Sequence, residues 1–456
     1  MSDIKTIIKK QREFYATNVT KDYHFRREQL SKLRQAVKKH EEEILEALNK
    51  DLNKSRYEAY MTEIGMVLEE IRFVSKHLKK WMKPKRVKTP LTQFPAKSSI
   101  YSEPYGVVLI MSPWNYPFQL SIEPLIGALA AGNCAIIKPS NYSFYTSQVI
   151  AKMIEEVFDP AYVTTVLGGR EANQDLLEQE FDYIFFTGGV NVGKVVMASA
   201  AKYLTPISLE LGGKSPCIVD ATANIDLAAR RIVWGKFVNA GQTCVAPDYL
   251  LVHKSVKDEL FKAMKRYVDK FHADALSEKS TFPKIINEKH FARLLGLMED
   301  GEIVFGGKSD AKTNRIEPTL IDKVDWESPV MQEELFGPIM PAITFSDLNE
   351  VLKKVQERPK PLALYLFTTC KENEEFVLKN VSFGGGCVND TIVHLATSYL
   401  PFGGVGGSGM GSYHGKASFD TFSHKKSIMK KSLLLDIPLR YPPYKENLSI
   451  IKKFMK

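Results

Sequence analysis

From Gly106 onward the chain alternates short, unbroken apolar runs with stretches of helical periodicity, and this alternation narrows its fold more than any other feature. Apolar runs at 107–111, 134–137, 162–167 and 183–186 are separated by helical patterns that include 145–158 and 190–203. A strand covered by helices on both faces has no polar side to show, so its sequence reads as a continuous apolar run. The pattern predicts a doubly wound parallel sheet, the kind of sheet that binds nucleotides at the carboxyl ends of its strands. From 215 to about 388 the rhythm repeats: helix 226–240, strand 249–252, helix 255–271, strand 339–345, helix 347–355. A chain of 456 residues exceeds the ~250–300 at which one core stops growing, so at least two domains are expected.

The flanks differ. Leu30, Leu33, Val37, Ile44 and Leu48 recur at mostly three- and four-residue spacing, as do Met61, Ile64, Leu68, Ile71, Val74 and Leu78. These predict amphipathic helices over 25–48 and 57–81. Pro84, Pro90, Pro95 and Pro104 then punctuate a basic, extended segment at 83–104 that cannot be helical. Net charge is 62 − 53 = +9, but the cations crowd at 79–88 and in the last thirty or so residues while the middle is mixed, and no basic stripe interleaved with aromatics stands out, so no nucleic-acid partner is expected. Five scattered cysteines lack a C-x-x-C pair and nine histidines lack zinc spacing, which points to a reducing, cytoplasmic setting and no metal. The best membrane candidate, 120–137, is broken by Glu123 and Pro124, so no stable membrane insertion is expected.

Several fragments carry chemistry. The glycines of Phe186-Thr187-Gly188-Gly189-Val190-Asn191-Val192-Gly193 end an apolar run where a helical pattern begins. Backbone N–H groups at such a start bind an anion, although an ordinary strand-to-helix turn reads the same way. A strict G-x-G-x-x-G at 404–409 lacks the flanking strand and helix that the dinucleotide fingerprint needs, and reads as a loop. Cys244, in Gly241-Gln242-Thr243-Cys244, lies on a loop between a glycine and Pro247. It is either a nucleophile or a small buried hydrophobe. Glu210, beside Gly212 and Gly213, is either its proton-accepting partner or a surface carboxylate. Asn115, between Pro113 and Pro117, is either a preset oxyanion donor or a turn residue.

Taken together these pieces resemble the aldehyde dehydrogenase superfamily over nearly the whole chain. The resemblance is carried by PWNYP at 113–117, IKPS at 137–140, FTGG at 186–189, ELGGKSP at 210–216, GQTC at 241–244, EELFGP at 333–338 and PFGGVGGSGMG at 401–411. The ending GSYHG at 411–415 and RYPPY at 440–444 look most like the class 3 branch, which oxidises medium- and long-chain or aromatic aldehydes.

The resemblance implies an α/β, aldehyde dehydrogenase-like fold: two doubly wound parallel-sheet domains plus a small oligomerisation arm. An NAD(P)-binding domain would span 1–82 and 105–211, and a catalytic domain 212–413. The arm and tail would take 83–104 and 414–456, pairing protomers as homodimers. Cys244 would be the nucleophile, Glu210 the base that activates water, and Asn115 the oxyanion donor. Lys138, Ser140, Asn141, Gly188, Gly189, Gly193, Glu334 and Phe336 would hold NAD. Many relatives carry glutamate where this chain has Asn141, which would repel a 2′-phosphate, so NADP is expected to be tolerated as well. Gly189 stands where serine is usual, which weakens cofactor binding at most. Tyr116, Trp234, Val238 and Phe402 would line an apolar entrance, with Trp234 and Val238 on one helical face. The reaction implied is NAD(P)-dependent oxidation of aldehydes to acids through a thiohemiacetal and a thioester. The alternative is a dedicated dehydrogenase for one biosynthetic semialdehyde or a polyene aldehyde.

Overall fold

Val107–Met111 and Cys134–Lys138 are buried at every residue, as their unbroken apolar runs require. They pair in parallel at the middle of a six-stranded sheet. The chain passes from Val107–Met111 outward to Cys134–Lys138 and Val163–Thr165, then returns to the other side of Val107–Met111 for Tyr183–Gly188 and Ile207–Leu211. The direction of winding therefore reverses between Met111 and Gly188, and a crevice opens at the carboxyl ends of those two strands. Helix Gln119–Ala131, largely apolar and wholly buried, packs on Val107–Met111 and Cys134–Lys138. The computed structural model describes residues 4–444 and 448–455; residues 1–3, 445–447 and 456, within the expected first domain and tail, lie outside the described residues.

A seven-stranded sheet follows, ordered Glu302–Phe305, Thr319–Asp322, Ile339–Phe345, Tyr249–His253, Pro216–Val219, Ala363–Phe367, Gly385–Val388. Only the edge pair Glu302–Phe305 with Thr319–Asp322 is antiparallel. Strand Ile207–Leu211 closes the first sheet and Pro216–Val219 opens the second, with only 212–215 between them. The carboxyl ends of one set of strands thus confront the amino ends of the other. A third, antiparallel sheet joins Lys85–Val87, Ala96–Pro104 and Ser423–Lys431, the last two zipped from Ser423↔Pro104 to Lys431↔Ala96.

The structure departs from the sequence reading in three helices, and the extended segment 83–104 includes a 3-10 turn, Leu91–Gln93. The expected helix 25–48 is two, Tyr23–Lys39 and Glu41–Leu52, parted at buried His40, whose ring lies between Glu43 (3.2 Å) and Glu156 (2.9 Å). The helical region 57–81 contains a π-helical turn, Tyr60–Ile64. The expected helix 226–240 stops at Phe237, and Asn239 and Ala240 turn left-handed (φ 52° and 51°). Val238 caps the helix with its N–H on Trp234 O, so Trp234 and Val238 still lie one above the other and line the same cavity.

Candidate active site

Cys244 precedes strand Tyr249–His253 and is delivered by that left-handed turn. Asn239, Ala240 and Gly241 all have positive φ, a conformation costing ~1–3 kcal/mol for each non-glycine residue and kept only where surroundings enforce it. At Gly241 a Cβ would lie 2.2 Å from the Gly337 carbonyl oxygen, so glycine is required. The turn is tied to the loop after Met111. Asn239 Nδ2 donates to the Asn115 carbonyl at 2.8 Å and to Gln242 O at 3.1 Å, while Asn115 Nδ2 donates to Gln242 O at 3.0 Å. Gln242 Nε2 donates in turn to Lys284 O at 3.0 Å. The side-chain amide of Asn115 is thereby fixed against the segment that carries the thiol.

Glu210 sits within strand Ile207–Leu211, 3% exposed, and both carboxyl oxygens are buried without a hydrogen-bond partner. Burial lifts its pKa well above the carboxylate range. An orphaned buried acid is rare enough to mark a functional position. Burial pushes the Cys244 thiol up to about 12, and the Glu334 and Glu210 carboxylates add to the effect, against N–H groups of Cys244 and Val245. Both acids therefore lie in the electrostatic field of the sulfur. The glycine-rich run 404–409 is no dinucleotide fingerprint: it folds back so that Gly409 pairs with Glu210, and a Cβ there would meet Leu209 O at 2.1 Å.

The crevice between the sheets holds the remaining expected positions. Gly189 caps helix Val190–Ala201, is exposed, and has open space where a Cβ would project. Gly188 closes the strand, its α-carbon against the Phe186 ring. Gly193 faces inward, where a Cβ would meet Leu211 at 2.7 Å, so it serves helix-to-sheet approach rather than the open crevice. The Lys138 ammonium is buried, with Pro139 O at 2.8 Å, and desolvation lowers its pKa to about 8. Ser140 is half-buried beside it and Asn141 exposed, facing Gly169. Across the crevice, Glu334 presses on Gly212, where a Cβ would stand 2.0 Å from Oε2, and burial raises its pKa to about 8. Phe336 meets Trp114 edge-on at 5.4 Å. A free helix N-terminus, glycine floors and a buried lysine at a switch-point crevice fit a dinucleotide.

On the other side of Cys244 an apolar cavity of about 120 Å³ is walled by Tyr116, Trp234, Val238 and Phe402 together with the cysteine itself. The Tyr116 hydroxyl bonds Thr243 Oγ1 at 2.6 Å. Sequence reasoning missed Met61, Met66, Leu120, Ile392, Tyr413 and His414, which also line the wall. Met61 was legible only as a core position of an amphipathic helix, and Ile392, at φ 50°, has no sequence signal at all.

The model of the Aldehyde dehydrogenase family matches residues 1–428. The chain belongs to the aldehyde dehydrogenase family. It is 53% identical over 445 residues to the 4,4′-diaponeurosporen-aldehyde dehydrogenase of Staphylococcus aureus (97% of each chain). It is 44% identical over 446 residues to the dimeric NADP-preferring aldehyde dehydrogenase of Canis lupus familiaris (97% of this chain, 98% of that one). A solved Staphylococcus aureus AldH in its substrate-bound state superposes with a TM-score of 0.98 at 51% identity, covering 100% of both chains. This aldehyde dehydrogenase has class 3 enzymes among its relatives and oxidises aldehydes with NAD(P) as cofactor. Among the described residues no helix is long and apolar enough to cross a membrane.

Proposed function

We propose that this enzyme oxidises aldehydes with extended apolar chains through a thioester on Cys244. The observation that carries the reading is the single cavity wall that joins Cys244 to an almost wholly apolar lining. As the Cys244 sulfur bonds to the carbonyl carbon, the carbon–oxygen π bond breaks and negative charge gathers on the oxygen, which takes up the thiol proton as the thiohemiacetal forms. Asn115 Nδ2 has one N–H committed to Gln242 O and a second to offer that oxygen, together with the Cys244 backbone N–H. Lys138, Ser140 and Asn141 would hold the adenosine end of the cofactor, Gly188 and Gly189 the pyrophosphate, and Glu334 and Phe336 the nicotinamide end. Bound NAD(P) supplies the two-electron acceptor that converts thiohemiacetal to thioester. Glu210 then takes a proton from water as the water oxygen attacks, the carbon–sulfur bond breaks, and the thiol is restored.

Chain length tests the substrate class. Each methylene removed from water contributes ~0.8 kcal/mol, so kcat/KM should climb roughly three- to fourfold per added CH2 from butanal until the cavity is filled, and a carboxylated semialdehyde should be the poorest substrate. Equal efficiency with short or charged aldehydes would refute it. The Staphylococcus relative, named for a carotenoid aldehyde, favours a rigid polyene as one such substrate. A polyene aldehyde that outperforms every flexible chain would establish the dedicated reading.

Neutral Asn141 supports the use of NADP beside NAD. Asn141→Glu is expected to raise the NAD-to-NADP ratio of kcat/KM about tenfold or more, because like charges a few ångströms apart near a surface repel by several kcal/mol. A ratio that moves less than about twofold would show that residue 141 does not face the 2′-position.

We read the chain as a cofactor domain at 1–82 and 105–211, a catalytic domain at 212–413 and an arm formed by 83–104 with the tail from 414. The pairing of Ala96–Pro104 with Ser423–Lys431 supports the arm, whereas Gly409–Met410 pairs with Ile207–Leu211 and helix Gly415–Thr421 packs on helices Gly65–Trp81 and Gln119–Ala131, on the cofactor side. Ile428 and Met429 stand exposed on the arm sheet, and the canine relative is named dimeric. The chain is read as a homodimer, which light scattering at one-chain mass would contradict. Its free cysteines accord with the cytoplasm; export with oxidised thiols would contradict that.

A further inference from the structure

Behind Asn115 lies a buried ion pair that the reaction itself does not use. Lys54 and Glu63 are both 0% exposed, and their charged atoms meet at 2.6 Å. Lys54 Nζ also donates to the main-chain carbonyl of Asn115 at 3.1 Å and stands 4.0 Å from the centre of the Tyr116 ring. The other Glu63 oxygen accepts the N–H groups of Phe118 at 2.9 Å and Gln119 at 3.3 Å. The cation thus holds one end of the segment 115–119 and the anion holds the other. The same Asn115 carbonyl receives Asn239 Nδ2 from the turn before Cys244, and the Asn239 N–H is anchored on Glu58 Oε1 at 2.8 Å.

Stability alone gives no reason for such a pair, because desolvation consumes the attraction and an apolar pair of equal volume holds a core as well or better. Its position supplies the reason. Glu63 lies in the π-helical turn Tyr60–Ile64, a geometry that concentrates at functional sites. Met61 and Thr62 of that turn face the apolar cavity while Glu63 is turned inward onto Lys54. We propose that Lys54 and Glu63 are positioning residues for the oxyanion donor. They lock the peptide of Asn115 against the Cys244 turn, so that the side-chain amide is set before the aldehyde arrives. The proposal rests on Asn115 being that donor.

Replacing both partners together, Lys54→Met with Glu63→Gln, avoids leaving either member of the pair without its partner. The expected result is a kcat about ten- to hundredfold lower, with KM for aldehyde and NAD within about twofold of the parent, since a misplaced donor weakens the transition state rather than ground-state binding. Acylation of Cys244 by p-nitrophenyl acetate, which needs the same donor and no cofactor, should fall in parallel. In an Asn115→Ala background the pair change should cost less than about twofold more, because the group it positions is already gone. Lys54→Arg keeps the charge but cannot place a donor at the same point; it should give a smaller loss that also vanishes in that background, and it carries the test if the pair variant does not fold. Unchanged kcat in folded variants, or losses that multiply fully with Asn115→Ala, would overturn the proposal. Full activity in Asn115→Ala itself would instead remove the assignment of Asn115, a distinguishable failure.

Discussion

Cys244→Ser is expected to lower aldehyde oxidation by about 10⁴-fold, close to 5.5 kcal/mol of transition-state stabilisation at 1.36 kcal/mol per tenfold, while NADH binding measured by fluorescence stays within about twofold. The size follows from what surrounds the sulfur. The groups that act on it are two carboxylates and two backbone N–H groups, none of them an imidazole. His414, which shares the cavity wall, lies 3.9 Å from Glu123, and burial lowers its pKa to about 3, so it is a poor proton acceptor at neutral pH. A serine hydroxyl would need a base to attack a carbonyl, whereas sulfur retains intrinsic nucleophilicity without a dedicated one. The same burial that places the thiol against an apolar chain keeps it protonated at rest. Alkylation by iodoacetamide without cofactor should accordingly be slow at pH 7 and accelerate as pH rises. Rapid, pH-independent alkylation would contradict the description of the site.

Glu210→Gln carries the second large effect, of a different kind. Acylation should survive and hydrolysis should not, giving a burst of one reduced cofactor per site followed by steady turnover ~10²–10⁴-fold slower, the range typical of losing a general base. The pH dependence has a definite sign. Burial raises the Glu210 pKa in the fold, so at low pH the group is protonated and cannot accept a proton from water; parent hydrolysis should rise with pH until the carboxyl ionises, and the glutamine variant should lose that rise. Stability runs the other way. A carboxyl whose folded pKa exceeds its unfolded value contributes stability that is complete below the unfolded pKa and is lost as pH climbs through the folded one. The variant should therefore melt at or above the parent temperature at pH 8. Loss of rate together with lower stability would mark a folding defect instead. Steady turnover at the parent rate would remove Glu210 from the mechanism.

The strands were legible because a doubly covered strand must be apolar, and 107–111 and 134–137 are so throughout, while 339–345 departs only at exposed Thr344. Cys244, Glu210 and Asn115 were singled out as members of ordered motifs; Cys244 follows a left-handed turn and Asn115 lies on the loop after Met111, whereas Glu210 lies within a strand. Tertiary placement was not legible. Lys54, just past a helix end, carries no sequence signal of its full burial; only the fold brings Asn115 and Glu63 to its ammonium. Helix 226–240 was overextended because Asn239 and Ala240 continue the pattern in sequence, and alanine gives no hint of a left-handed backbone. The turn is enforced from outside, by Gly337 and Asn115. The cavity wall drew on loops 392–396 and 413–414, which carry no periodicity to read.

The central claim is that the oxidised substrate is held on the Cys244 sulfur before water releases it. Glu210→Gln mixed with NAD and decanal, quenched in acid and digested, should yield the peptide containing Cys244 with the mass of a decanoyl group, in near one-to-one amount. An unmodified Cys244 peptide after the burst, or the acyl group on any other residue, would contradict the account.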